Sequence, residues 1–283
     1  MSGLGLGLGL GLGAHRKVGG GAGNKPATFT IPAGYADTGT KRINFSEPVT
    51  VTMTGGVTLS IAGTPYLSGD TIPVATGVYH TLTINNPGGA AGTITFGRRK
   101  QVTYLFLDGL GSSVITGDIT GMGITYLHLQ TLGSSVITGD ITGMPLTYLR
   151  LYNIGSSSVI TGKITGMELT SLLLSNIGSS LTYGTNSLNI TSANGIQLLG
   201  STVFATKEEY ERLIMDAANG TWTPIGSRPF RIDAGTNANC PDWDTVKAYV
   251  AVLREKAAWT IIPSAWLEDN GGTWPADWNE YEG

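Results

Sequence analysis

Charge is scarce in this chain: 13% of its 283 residues are Asp, Glu, Lys or Arg, and the formal net charge is −3. A nucleic-acid surface needs a strongly basic face, which this balance does not supply. HRK at 15–17 and RRK at 98–100 are the basic clusters, and both are expected to be solvated. Cysteine is nearly missing. The single Cys240 excludes an intramolecular disulfide framework and reads as a small buried residue beside a helix start. Histidine occurs at 15, 80 and 128, never with Cys, Asp or Glu at metal-ligand spacing, so neither metal nor cofactor is expected. TGKI at 161–164 lacks the hydroxyl residue after Lys and the preceding GxxxxG of a phosphate loop, which leaves a turn. Asp118 and Asp140 recur one repeat apart, as a cation site or glycosidase pair would place them, but Lys163 takes the next place and a solvated charge ladder accounts for all three. The expected class is therefore not an enzyme. No segment has the basic amphipathic face of a membrane-surface helix, and Gly interrupts the one Leu-rich run.

What the chain has in abundance is glycine, 42 residues, and repetition. TYLFLDGLGSSVITGDITGM from Thr103 is followed by TYLHLQTLGSSVITGDITGM from Thr125, TYLRLYNIGSSSVITGKITGM from Thr147 and TSLLLSNIGSS from Thr170. So short and regular a period predicts a solenoid whose units bury their apolar edges only by stacking. Strand alternation puts Leu105 and Leu107, Leu127 and Leu129, Leu149 and Leu151, and Leu172 and Leu174 inward. Leu110, Leu132, Ile154 and Ile177 close the strand ends; Val114/Ile115, Val136/Ile137, Val159/Ile160, Ile119, Ile141 and Ile164 fill the return paths. Gly117, Gly121, Gly139, Gly143, Gly162 and Gly166 suit corners of positive φ or close backbone approach.

LTYLRLYNIGSSSVITGKITGMEL resembles a leucine-rich repeat of the LxxLxLxxN type, a resemblance that covers roughly residues 81–199. It departs from the pattern at Gly109 and Thr131, where the strand-end Asn appears only as Asn153 and Asn176. The fold expected is mainly β: a sandwich-like amino-terminal region, a leucine-rich-repeat-like parallel solenoid and an α/β cap at the carboxyl end. The segments are 1–25 (Gly/Leu anchor and linker), 26–100 (β-rich), 101–199 (solenoid) and 200–283 (cap with a Trp-rich tail). In 26–100, ATFTIP, KRINF, VTVTMT, VTLSI, TLTIN and TITF alternate between turn signals. Thr58, Thr81 and Thr103 follow one another at the interval of the repeats, which predicts a mixture of sandwich strands and irregular first coils. ATKEEYERLIMDAANG has helix grammar, with Thr206 as N-cap, Glu209 at N3 and Tyr210, Leu213, Ile214 and Ala217 on one stripe. A second helix opens at Pro241 or Asp242 and turns Val246, Tyr249, Val250 and Leu253 inward. Phe230, Ile232, Ile261 and Ile262 are expected to continue the ladder.

The chain starts MSGLGLGLGLGLGAHRKVGGG, with charge after the apolar run and Gly between every Leu, which predicts no secretory signal. As a strand it would present Leu4, Leu6, Leu8, Leu10 and Leu12 on one face and bare backbone on the other, an anchor suited to close packing in an assembly. Together GLGLGLGLGLG, ATFTIPAGYADTGTKRINFSEPVTVTMTGGVTLSI and the ITGxITGM copies resemble virion fibre-like proteins encoded by phages and prophages of Bacteroidales. That resemblance implies a structural protein on the phage particle surface, a tail or head fibre anchored through its amino terminus to other virion proteins, with a homotrimer by analogy. A bacterial cell-surface leucine-rich adhesin is the alternative. Between copies, variation concentrates on the outward strand residues, while GSSVITGDITGM is identical in the first two. Tyr104, Phe106, Tyr126, His128, Gln130, Tyr148, Arg150 and Tyr152 are thus the expected ligand-binding residues, for a host-surface glycan or protein. The Trp-rich segment from Trp266 to Tyr281 is the next candidate.

Overall fold

Threonine alternating with Val, Ile and Phe makes half-buried strands, and the amino-terminal third forms eight of them. The structure is a computed structural model describing residues 24–112, 114–177, 181–184, 189–190, 196–199, 204, 206–220, 230–232, 241–256 and 260–261. Strands β1 (Pro26–Ile31), β2 (Thr40–Phe45), β3 (Val49–Met53), β4 (Thr58–Ile61), β5 (Thr64–Tyr66), β6 (Thr71–Ile72), β7 (His80–Asn85) and β8 (Gly92–Arg98) pair antiparallel in two layers. Ala27, Phe29 and Ile31 of β1 and Ile43 and Phe45 of β2 turn into one shared core. The Thr58–Thr81–Thr103 spacing does not mark coils, because β4 and β7 run antiparallel.

The repeats then stack. β9 (Val102–Asp108), β10 (Thr116–Asp118), β11 (Tyr126–Gln130), β12 (Val136–Asp140), β13 (Tyr148–Tyr152), β14 (Val159–Thr161), β15 (Glu168–Leu169), β16 (Ser171–Ser175), β17 (Asn189–Ile190) and β18 (Ile196–Leu199) build a parallel β-solenoid of about four turns. β9, β11, β13, β16 and β18 form its front, and β10, β12 and β14 its return side. Leu105, Leu127, Leu149 and Leu172 lie opposite one another, as do Leu107, Leu129, Leu151 and Leu174. From Leu127 onward every one of these leucines is fully buried. On the return side Ile115, Ile137, Ile160, Ile119, Ile141 and Ile164 are buried as expected, but Val114 and Val159 are 41% and 42% exposed. Alternation explains this: beside an inward Ile, the preceding residue faces out.

Two buried serines escape a hydrophobic reading. Ser135 Oγ accepts the Ile115 N–H at 3.1 Å, and Ser158 Oγ accepts the Ile137 N–H at 3.0 Å while donating to the Ser135 carbonyl at 2.9 Å. They satisfy backbone groups that the coil corner would otherwise bury unpaired. At Gly133, where φ is +60°, a Cβ would collide with the Gly111 carbonyl of the coil before; only glycine allows that approach.

Both solenoid sides are continuous with the amino-terminal strands. β2 pairs antiparallel with β9, and β1 with β10, giving sheets of 11 and seven strands over one core. The sandwich thereby covers the first coil's edge, which would otherwise be an open template for strand pairing. Phe29 of β1 packs where a side chain on Gly117 would have to go. Arg99 seals the corner rather than being solvated: it is 9% exposed, and its guanidinium donates to Asp118 at 2.9 Å and to the Thr120 carbonyl at 2.8 Å. Arg98 and Lys100 are exposed.

At the carboxyl end, α1 (Lys207–Asn219), β19 (Phe230–Ile232), α2 (Trp243–Lys256) and β20 (Thr260–Ile261) alternate, and β19 and β20 extend the front sheet in parallel. Thr206 and Glu209 form the expected capping box, and Tyr210, Leu213, Ile214 and Ala217 are buried. Asp242 caps α2 through the Asp244 N–H at 3.0 Å, and Val246, Val250 and Leu253 are buried. Register corrects one expectation: Phe230 pairs with Thr260 and Arg231 with Ile261, so Ile261 falls outside the Phe230 column. No described helix is long and apolar enough to cross a membrane. The Gly/Leu segment with Leu4, Leu6, Leu8, Leu10 and Leu12, Cys240, Ile262 and the Trp266–Tyr281 segment lie outside the described residues.

The residue after each front strand is left-handed in every copy: Gly109, Thr131, Asn153 and Asn176 have φ of 67°, 47°, 50° and 47°. Asn176 donates its side-chain amide to Asn153 Oδ1 at 2.9 Å, so the expected ladder exists where both members are Asn. Thr131, exposed and β-branched, carries strain that Asn tolerates. Thr131→Asn should therefore raise unfolding free energy by roughly 1 kcal/mol. Equal or lower stability in urea denaturation would show that the site is not strained.

Candidate binding face

The pleat that sends the leucines inward sends Tyr104, Phe106 and Asp108 of β9 outward, and register repeats the arrangement on each strand. Three rows result: Tyr104–Tyr126–Tyr148–Ser171, Phe106–His128–Arg150–Leu173 and Asp108–Gln130–Tyr152–Ser175. Four strands at roughly 4.8 Å spacing make the surface about 20 Å wide. All eight expected ligand-binding residues share this face. Two residues join it from the sandwich. Arg42 of β2 pairs with Phe106, and Tyr79 lies against Tyr104. Alternation in KRINF places Arg42 on the opposite side from Ile43, but its seat beside Phe106 depends on an antiparallel pairing between strands far apart in the chain.

The tyrosines stack on each other. Tyr104 and Tyr126 have ring centroids 4.3 Å apart at 8°, Tyr126 and Tyr148 4.1 Å at 9°, and Tyr79 closes the other side of Tyr104 at 5.2 Å. Tyr104 is consequently 7% exposed, and both faces of Tyr126 are taken. The ring planes are thus free only toward the ends: Tyr148 looks past its stack toward Ser171, and Tyr152 has no ring partner on the described face. Burial raises the Tyr104 phenol above its ordinary range, and burial with the adjacent hydroxyls raises that of Tyr126. Both stay neutral donors at physiological pH.

In the middle row Phe106 and His128 meet at 4.2 Å and 59°. His128 faces outward but is 6% exposed, more covered than an outward strand residue was expected to be, because Phe106, Tyr148 and Gln130 close over it. Its Nε2 lies 3.1 Å from Gln130 Oε1. Burial, aided by the Arg150 charge, lowers its pKa and keeps the ring neutral. With Gln130 Oε1 as acceptor, Nε2 carries the proton and Nδ1 is a lone pair. The Arg42 guanidinium sits 4.5 Å over Tyr79 and 4.8 Å over Phe106, and that of Arg150 lies 5.9 Å from Tyr152.

Three buried side-chain nitrogens have no hydrogen-bond partner among the described residues: Arg42 Nε, His128 Nδ1 and Arg150 Nε. All three stand in the same cross-strand row. Asp118 and Asp140, by contrast, are engaged locally, each accepting the N–H of the Thr two residues on at 2.9 and 2.8 Å; against its partial burial, the Thr120 hydrogen bonds, with Arg99, hold Asp118 below its ordinary pKa. No group of metal-ligating side chains occurs among the described residues. Comparison with known proteins matches no family model, no curated protein and no solved structure.

Proposed function

We propose that this protein is a structural component of a phage particle, a fibre or appendage anchored by its Gly/Leu amino terminus, whose front sheet binds a host-surface glycan. The observation that carries the reading is the contrast between the two sides of one sheet. Inward positions repeat Leu in register through four copies, while outward positions change from Phe to His to Arg to Leu at a single column. A rigid β frame holding aromatic and guanidinium groups offers contact area at small entropic cost. Tyr148, which keeps one face free at the end of the tyrosine stack, and Arg150 and Tyr152, which lie outside it, are the residues assigned to contact. The alternating Leu4 to Leu12 segment supports the anchor assignment, since Gly at every second position lets another chain approach its backbone.

The test is to purify particles from a host carrying the encoding phage, with either the full chain or a chain lacking residues 3–13, and to probe them with antibody. Full-length protein should copurify with particles. The truncated protein should fold with the same melting temperature and be missing from them. Label confined to the cell envelope would overturn the virion assignment in favour of a bacterial adhesin.

A further inference from the structure

Two arginines stand in the middle row: Arg42 on β2, then, after Phe106 and His128, Arg150 three strands away. Three strand spacings separate the two guanidinium-bearing positions by about 14 Å. Neither arginine is in an ion pair among the described residues, whereas Arg99, Lys41 and Lys247 each are. Asp108 is the one carboxylate on the three rows, so the face carries a local positive excess on a chain of net charge −3. A buried donor without an acceptor is destabilising, and native chains keep few of them. Two such donors, Arg42 Nε and Arg150 Nε, stand in this row, and His128 Nδ1, a lone pair, lies between them without a partner among the described residues. Fold stability does not account for that placement; a ligand bearing acceptors does.

We propose that the face recognises an anionic glycan, its acid groups taken by Arg42 and Arg150 and its rings laid over Tyr148 and Tyr152. The inference rests on the glycan reading above and deepens it. Each guanidinium lies beside an aromatic ring, and each Nε is buried. On binding, each swings from the ring so that Nε and one Nη form a fork on a carboxylate or sulfate, the geometry in which Arg exceeds Lys. Two forks about 14 Å apart select a chain with regularly spaced acids over one with a single terminal acid.

The experiment measures binding of purified full-length protein to immobilised polygalacturonate fragments, to the same fragments after carboxyl reduction, to dextran sulfate and to polyglutamate. Polygalacturonate or dextran sulfate should bind, the better one naming the acid; the reduced polymer should bind about tenfold more weakly or worse. Arg42→Gln and Arg150→Gln should each lose about tenfold, with Arg42→Lys and Arg150→Lys between, while Lys100→Gln, an exposed lysine off the face, should change nothing. Unchanged melting temperatures certify the variants; the Lys replacements, which keep charge and stem, serve if a Gln variant unfolds. Equal binding of the reduced polymer, an equal loss in Lys100→Gln, or polyglutamate binding as well as the polysaccharides would overturn the proposal. Host-cell binding separates it from the reading beneath: loss in a Tyr148→Ala/Tyr152→Ala variant with none in the arginine variants removes the acid specificity alone, and loss in neither removes both.

Discussion

Replacing Asp37 by Ala is expected to cost about 3–5 kcal/mol, among the largest losses available from one polar side chain in this protein. Lys41 projects from the inward face of β2 and is 1% exposed. Its Nζ meets Asp37 Oδ1 at 2.7 Å, the Thr38 carbonyl at 2.6 Å and Tyr35 Oη at 3.3 Å. The same Asp37 oxygen accepts the Ile84 N–H at 3.0 Å. Removing the carboxylate would leave an ammonium inside the sandwich core with neutral acceptors alone. Adding Lys41→Met should restore most of the loss, since an apolar stem of similar length removes the stranded charge. Urea denaturation of the single and double variants decides it. A double variant as unstable as Asp37→Ala would mean that the charge is not what makes the position costly.

Leu149→Ala should cost about 2–5 kcal/mol. Leu149 is fully buried in the middle of the column Leu105, Leu127, Leu149, Leu172, with a coil on each side. Neighbouring coils are held in register by main-chain pairing and by Thr125, Thr147 and Thr170, whose hydroxyls each donate to the threonine carbonyl one coil back at 2.9 to 3.1 Å. That rigidity limits collapse into the vacated space and favours the upper part of the range. A loss under about half a kcal/mol would contradict the packing of this column.

These two sites differ in how legible they are in the sequence. Leu149 could be assigned inward from the repeat alone, because two independent periodicities converge on it: the alternation along the strand and the recurrence of the whole unit from coil to coil. Lys41 could not. Alternation in KRINF places it on the side of Ile43, a position where charge is rare, and what makes it tolerable is a carboxylate four residues earlier and a tyrosine in the preceding loop. The capping box of α1 and the inward stripe of both helices were likewise local, and so readable.

The candidate face divides in the same way. Its eight expected residues follow from the pleat, since a strict repeat fixes which side of a strand each one occupies. Whether their rings are free does not follow from it. Parallel, in-register strands bring equivalent residues within stacking distance, so a column of tyrosines spends its faces on itself, and only the column's end shows which ring remains open. Arg42 and Arg99 belong to the face and to the corner seal only through contacts between distant parts of the chain, which no local pattern encodes. The repeat by itself thus determined the solenoid, its core columns and the side that varies. The tertiary structure decided that the amino-terminal sandwich caps the first coil by sharing both sheets, and that its Arg42 completes the row, because partner choice between distant strands depends on edges left unpaired and on packing that only the assembled core supplies.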